Sequence, residues 1–299
     1  MTPTPPLTVG LPVFNGEQFV AEALDSILGQ TFADFRLVLS DNGSTDATQA
    51  ICREYAASDS RIRYVRHETN RGAAWNYNHV LEGCDSPFFR WGAADDVFAP
   101  TCFERCAEVM ARAPENMVMC YTKTRVIDEA GVPAGEYDDD LDLRSSRPHL
   151  RIQRIVRRMV RGNPIFGLFR TDVLRATRGH GSFPCADYVL IAEVALAGQI
   201  WEIPERLFYR RVHSGMSRLL NPGSEEYTLW LDPSVAPVEH ESRRLLHEYL
   251  AAVRRAPLSV ADRTACYGAV IAAWTLRYGV TKEPLRKLQR AVGGRRAPA

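Results

Sequence analysis

The sequence predicts an α/β fold, a Rossmann-like, mostly parallel sheet flanked by helices and followed by a C-terminal helical appendage. Three observations predict it. Short apolar, β-prone runs alternate with segments whose apolar residues recur at helical spacing. Parallel strands need a crossover between them, and a helix supplies it. Each early strand also ends in a polar cluster, and sheets of this kind bind ligands beyond the carboxyl ends of their strands.

The elements follow in order. Leu7 to Phe14 is apolar and β-prone, and Asn15-Gly16 is a turn signal. Phe19, Val20, Ala23, Leu24, Ile27 and Leu28 then mark a helix. A second strand, Phe35 to Ser40, runs into Asp41-Asn42-Gly43-Ser44-Thr45-Asp46, and a helix spans Ala47 to Tyr55. Ser44, Thr45 and Asp46 read as caps of that helix. A third strand, Ile62 to Val65, leads to Asn70-Arg71-Gly72 and a helix from Ala73 to Leu81. Pro87 to Trp91 reads as a short buried strand that delivers Asp95-Asp96 after the small residues Gly92, Ala93 and Ala94. Adjacent carboxylates at a strand end suit a hard divalent cation that also holds substrate phosphates. An Asp-Asp pair by itself is more often a solvated turn. Four polar clusters converging on one sheet edge are the stronger signal.

Composition bounds the function. The chain has 299 residues, 45% of them apolar, enough for one large domain or a domain with an appendage. A net charge of +1 argues against a nucleic-acid binder built on phosphate contacts. No run of 18 apolar residues occurs, so no membrane span is expected. Met1 to Pro6 has neither the basic start nor the apolar stretch of a signal peptide, so a cytoplasmic location is expected. Seven cysteines without a C-x-x-C pair read as small buried hydrophobes in a reducing compartment.

The succession Pro12-Val13-Phe14-Asn15-Gly16, Ser26-Ile27-Leu28-Gly29-Gln30-Thr31-Phe32, Ser40-Asp41-Asn42-Gly43-Ser44-Thr45-Asp46, Asn70-Arg71-Gly72 and Asp95-Asp96 resembles family 2 glycosyltransferases over roughly residues 7 to 220. The resemblance implies the GT-A fold, a nucleotide-sugar donor, generally inverting transfer, and a divalent cation, Mn2+ or Mg2+, at Asp96. It further implies that Pro12, Phe14, Asn15 and Glu17 line the base and ribose, and that Asp41 and Asn42 face the nucleobase. The family more often has Asp-Asp at that second point. Asn42 can accept the uracil ring N–H and can also donate, so UDP-sugar is favoured, with thymidine or guanosine as alternatives. Arg71 is placed to pair with the diphosphate. Asp95 is expected to bond ribose or the donor sugar.

The second half supplies the acceptor side. Asp187 is the last charged residue before an apolar helix, Val189 to Ala197. It reads either as a helix cap or, by the resemblance, as the catalytic base, held ionised at a helix N-terminus. Glu193 reads as structural. Tyr209-Arg210-Arg211-Val212-His213-Ser214-Gly215-Met216-Ser217 resembles the family's closing motif, in which a His such as His213 reaches the metal or diphosphate.

The expected organisation is a catalytic domain over 1–222, with a nucleotide-sugar half to about 98 and an acceptor half over 99–222, then a helical extension over 223–299. Helices are expected at Val238 to Ala252, Val260 to Arg277 and Glu283 to Val292, packed on the catalytic domain or forming a homodimer contact. Seven arginines between Arg144 and Arg161 read as the solvated face of an amphipathic helix, or as a dock for an acidic acceptor or a membrane surface at the periphery. The acidic run Asp138-Asp139-Asp140 with Asp142 reads as an exposed loop. The acceptor stays open between a small molecule, a carrier-linked molecule and a glycan. Two other readings compete. A sugar nucleotidyltransferase needs a Gly-rich basic loop after the first strand, where this chain has Pro12-Val13-Phe14-Asn15. A non-catalytic binding module needs no base.

Overall fold

The computed structural model describes residues 5–216, 219–221, 224–238 and 240–278. The expected helix over 283–292 lies outside them, as does Ser217 of the closing motif. Among the described residues nine strands form one sheet in the order β3-β2-β1-β4-β8-β6-β9-β5, with β7 on β6. The first four, β1 (Leu7–Val13), β2 (Phe35–Asp41), β3 (Ile62–Arg66) and β4 (Phe88–Trp91), are all parallel. β8 (Leu168–Arg170) runs antiparallel between β4 and β6 (Met117–Ile127). β6 pairs in parallel with β9 (Gln199–Arg211), which carries the two-residue β5 (Val97–Phe98) antiparallel on its far edge. β7 (Pro133–Tyr137) is an exposed hairpin partner of β6.

Helices cover both faces because β1, β2 and β4 are apolar on both sides. One face takes α1 (Val20–Leu28), α2 (Thr48–Ser58) and α4 (Cys102–Arg112). Val20, Leu24, Ile27, Phe103 and Met110 pack there against Val9, Leu11 and Leu37. The other face takes α3 (Ala73–His79), α5 (Pro148–Arg158), α7 (Ala186–Ala197), α9 (Glu241–Arg255) and α10 (Val260–Tyr278), centred on Phe89, Trp91 and Phe169. α7 is buried all round. Its one interior charge, Glu193, accepts from the Arg178 N–H and pairs with Arg255, a structural role as expected. The short 3-10 turn η1 (Asn163–Phe166) and the short helices α6 (Thr171–Arg175) and α8 (Glu225–Leu231) complete the path. All seven cysteines are free thiols, six of them buried.

Two expectations need correction. Of the three residues read as caps of α2, only Asp46 bonds its first turn, accepting from the Thr48 N–H at 3.0 Å. Ser44 and Thr45 turn instead to the loop after β1. Ser44 Oγ accepts from the Asn15 N–H at 3.0 Å, and the Thr45 N–H donates to Asn15 Oδ1 at 2.9 Å. Asn15 sits at φ 48°, and these bonds hold that left-handed turn. The acidic run and the basic helix are likewise not separate solvated surfaces. Asp140 pairs with Arg154 and Arg158, Asp142 with Arg144, and Asp138 with Arg206 and Lys123. Arg151 is buried and donates to Ala195 O, Leu196 O and Ser145 O, closing the last turn of α7. Desolvation strips an arginine of water, and carbonyl oxygens at a helix end replace it.

Candidate active site

β5 pairs with β9 in the register Val97↔Tyr209 and Phe98↔Phe208. This pairing brings the segment after β9 against the Asp95-Asp96 turn. Asp96 Oδ1 accepts the Arg211 N–H at 2.8 Å, and the buried Arg211 guanidinium donates to Asp95 O at 2.9 Å and to Glu22. His213 Nε2 lies 3.1 Å from Asp95 Oδ2 across 118 residues of sequence. That bond raises the His213 pKa. Burial, reinforced by the neighbouring Asp95 carboxylate, pushes Asp96 well above the usual carboxylate range. Among the described residues no group of three or more His, Cys, Asp or Glu side chains is arranged to hold a metal ion. Asp95 and Asp96 nevertheless border a cavity, and carboxylate oxygens are the donor type a divalent cation takes.

Asp95, Asp96 and His213 border a cavity of about 470 Å³ that also touches Pro12, Phe14, Asn15, Asn42, Asn70 and Arg210. Its floor is tied together from within. Asn76 accepts from Ser40 Oγ and donates to Ser40 O and Val13 O, so α3 clamps the ends of β1 and β2. Asn42 accepts the Arg71 N–H and donates to Asn70 Oδ1 and Gly72 O, so its amide holds the 70–72 loop. Asp41 is buried and accepts from the Ser44 N–H and the Tyr64 hydroxyl. Glu17 accepts the Ala47 N–H at the start of α2. Asp41, Glu17 and Arg71 border neither this cavity nor the next. Arg71 stacks on the Trp75 ring at 3.9 Å on the outside of α3.

A second cavity of about 350 Å³ adjoins the first, and Ala73, Tyr77, Phe166, Arg210 and Trp230 line both. Asp187 lies in it. The chain enters α7 through Cys185 at φ 60°, so Asp187 falls in the first helical turn and is not the cap residue. Burial pushes its carboxyl up to about 6, against the lowering effects of the Tyr188 N–H and the Arg210 charge. Gly162 packs on it so closely that a Cβ there would overlap Asp187 Oδ2. Arg210 donates to Asn163 Oδ1, and Asn163 donates in turn to Thr124 Oγ1 and the buried Asp139.

Sequence reasoning gave no site role to Tyr77, Arg210, Tyr227, Trp230 and Gly162. Arg210 had a signal, since it stands inside the closing motif, three residues before His213. Trp230 and Tyr227 had none, because α8 reaches the cavities through tertiary packing, on α3 among other elements.

A family model for glycosyl transferase family 2 matches residues 8–164. The putative glycosyltransferase EpsE of Bacillus subtilis (strain 168) is 32% identical over 133 residues, 44% of this chain and 48% of that protein. An uncharacterized glycosyltransferase of Rickettsia felis is 24% identical over 239 residues, 76% of this chain and 38% of that protein. The chain thus spans less than half the length of these two relatives. In fold it is similar to S. aureus TarS 1-349 (TM-score 0.64, 16% identity, 96% of this chain and 79% of that one). TarS 1-349 in complex with UDP-GlcNAc gives a TM-score of 0.60 at 16% identity, with 94% and 91% covered. The mannosyltransferase PcManGT from Pyrobaculum calidifontis in complex with GDP-Man and Mn2+ gives 0.57 at 15% identity, with 97% and 81% covered. Since the family match runs from β1 into η1, over more than half of the sequence, and takes in all four strand-end clusters, this chain belongs to glycosyl transferase family 2.

Proposed function

We propose that the protein is an inverting glycosyltransferase that moves a sugar from a nucleoside diphosphate, with UDP favoured, to a hydroxyl or amine. The observation that carries this is the pair of adjoining cavities: one bordered by Asp95, Asp96 and His213, the other holding Asp187, with Arg210 in both linings. The complexes of fold neighbours with UDP-GlcNAc and with GDP-Man and Mn2+ support a nucleotide-sugar donor.

The donor occupies the larger cavity, with its nucleoside along Pro12, Phe14, Asn15 and Asn42. Asp41 and Glu17 support that loop from behind through their backbone bonds. Arg210 replaces Arg71 as the cation nearest the diphosphate, because Arg71 is stacked outside. Asp96 and His213, beside Asp95, would hold a divalent cation, Mn2+ or Mg2+. Bound there, it supplies charge neutralisation for the departing diphosphate. Asp187 takes the proton of the acceptor as it attacks the anomeric carbon, through a transition state with oxocarbenium character. One base and no protein nucleophile give inversion. The catalytic unit is residues 1–222, and the extension over 223–299 completes it through α8; α9 and α10 carry the proposed dimer contact.

The test is thermal unfolding with UDP- and GDP-sugars, with and without Mn2+. A donor at a hundredfold its Kd adds about 2.7 kcal/mol of stability, and Asp96→Ala removes the Mn2+-dependent part. No shift with any nucleotide sugar would end the reading.

A further inference from the structure

The cavity around Asp187 has its own chemistry. Six aromatic side chains border it: Tyr77, Phe166, Phe183, Tyr188, Tyr227 and Trp230. They come from α3, η1, the segment before α7, α7 itself and α8. Tyr227 and Trp230 stand on the same face of α8, ring centroids 5.4 Å apart. Large aromatic faces offer flat apolar surface with fixed geometry at small entropic cost. They match the C–H face of a pyranose ring, whose hydroxyls are left at the rim for polar partners.

The charges around the cavity point the same way. Two carboxylates, Asp187 and Glu241, face it. The described arginines of its lining are Arg210, shared with the donor cavity and assigned to the diphosphate there, and Arg161, which lies over the Tyr137 ring at 4.6 Å. The neighbouring helix α5 adds no arginine to the lining; Arg154 and Arg158 pair with Asp140, and Arg151 is buried against α7. With Arg210 given to the donor, a phosphate entering beside two carboxylates would lose its water for a single lining cation, Arg161.

We infer that the acceptor is an uncharged sugar ring of a glycan or glycoside, stacked on Tyr227 and Trp230 of α8 with one hydroxyl directed at Asp187. This rests on the proposed glycosyl transfer and gives its acceptor a class. It makes the C-terminal extension a determinant of specificity, with α8 forming one wall of the acceptor site.

The experiment uses the full chain with UDP and Mg2+, and saturation-transfer NMR with matched pairs: methyl glucoside and methyl galactoside against glucose 6-phosphate and galactose 6-phosphate. UDP binding is measured beside them by calorimetry. The neutral glycosides are expected to bind and their phosphates to bind at least about tenfold more weakly, the factor that 1.4 kcal/mol of unfavourable charge burial produces. Tyr227→Ala lowers glycoside affinity about three- to tenfold, in line with loss of one aromatic contact, and Tyr227→Phe restores it. UDP affinity stays at the wild-type value in both variants, since Tyr227 borders only the acceptor cavity. Phosphates binding as well as the neutral sugars would overturn the inference, and so would unchanged glycoside affinity in folded Tyr227→Ala. UDP binding with no glycoside binding would overturn the acceptor class and leave glycosyl transfer standing. Absence of nucleotide-sugar binding altogether would remove the reading beneath it.

Discussion

At Asp187 burial and local backbone geometry act in opposite directions. Burial raises the carboxyl to about 6, while the Tyr188 N–H and Arg210 lower it. A base must be ionised, so kcat/KM should fall as pH drops through about 6 and level off above it. Asp187→Asn keeps size and helix compatibility but not basicity. Turnover should fall roughly a hundredfold or more, the usual scale for loss of a general base, while donor affinity holds. Collapse of donor binding together with a much lower melting temperature would make Asp187 a structural residue. Gly162→Ala is a subtler probe. Its methyl overlaps the carboxylate, so turnover should drop with donor Kd unchanged. A wild-type kcat in that variant would show that the carboxylate tolerates displacement.

At the level of elements, α10 reaches Asp187, the proposed base, through α5. The Arg277 guanidinium donates to Val156 O at 2.8 Å and Met159 O at 2.6 Å, closing the last turn of α5. The next residues are held in turn: Val160 O accepts from the Tyr188 hydroxyl, and Gly162 packs on Asp187. Arg277→Met should therefore cost about 1 kcal/mol of stability, the scale of a cation at a helix C-terminus. It should also lower kcat, by up to about a hundredfold if the base shifts by an ångström, without changing donor affinity. Arg277→Lys should recover part of the loss. Equal kcat in wild type and Arg277→Met would leave α10 as packing alone. The paired arginines of α5 lead to a different expectation. Replacing Arg154 and Arg158 with Gln breaks exposed ion pairs with Asp140, which changes stability by less than about 1 kcal/mol.

Across the whole molecule, carboxylates buried off the main site set the pH response of the fold. Burial, with Glu202 nearby, pushes Asp139 up to about 8, and its Oδ1 has no hydrogen-bond partner. A carboxyl raised above its unfolded value binds its proton more tightly when folded. Its contribution is fully present below about pH 4 and is lost as pH rises through the folded value. Asp139 therefore makes the protein less stable at pH 8 than at pH 6. Asp139→Asn removes that slope and lets the new amide donate where an orphan oxygen stood, for a gain of roughly 1–3 kcal/mol at pH 8. Denaturant unfolding at both pH values measures it. A variant whose stability still fell in parallel with wild type would acquit Asp139. No helix among the described residues is long and apolar enough to cross a membrane.

The sequence by itself determined the parallel half of the sheet and the edge where ligands meet it. Leu7–Val13, Phe35–Asp41, Ile62–Arg66 and Phe88–Trp91 are short β-prone runs, apolar apart from a few polar residues and followed by turn residues, and such local patterns survive folding unchanged. The tertiary structure alone decided how polar side chains spend their hydrogen bonds. Asn42 and Arg71 carry the same chemistry in either role. Which role each takes depends on partners at 70–72 and on the Trp75 ring, and a linear pattern does not encode them. The same holds for the arginines of α5, which read as a basic face until Asp140 folds back on them. It also holds for the proposed acceptor wall. Trp230 is separated from Tyr77 by more than half of the chain, and only the packing of α8 on α3 puts them in one cavity. Local periodicity is written residue by residue, whereas long-range burial and pairing are settled only when the sheet has closed and every desolvated group must find a partner.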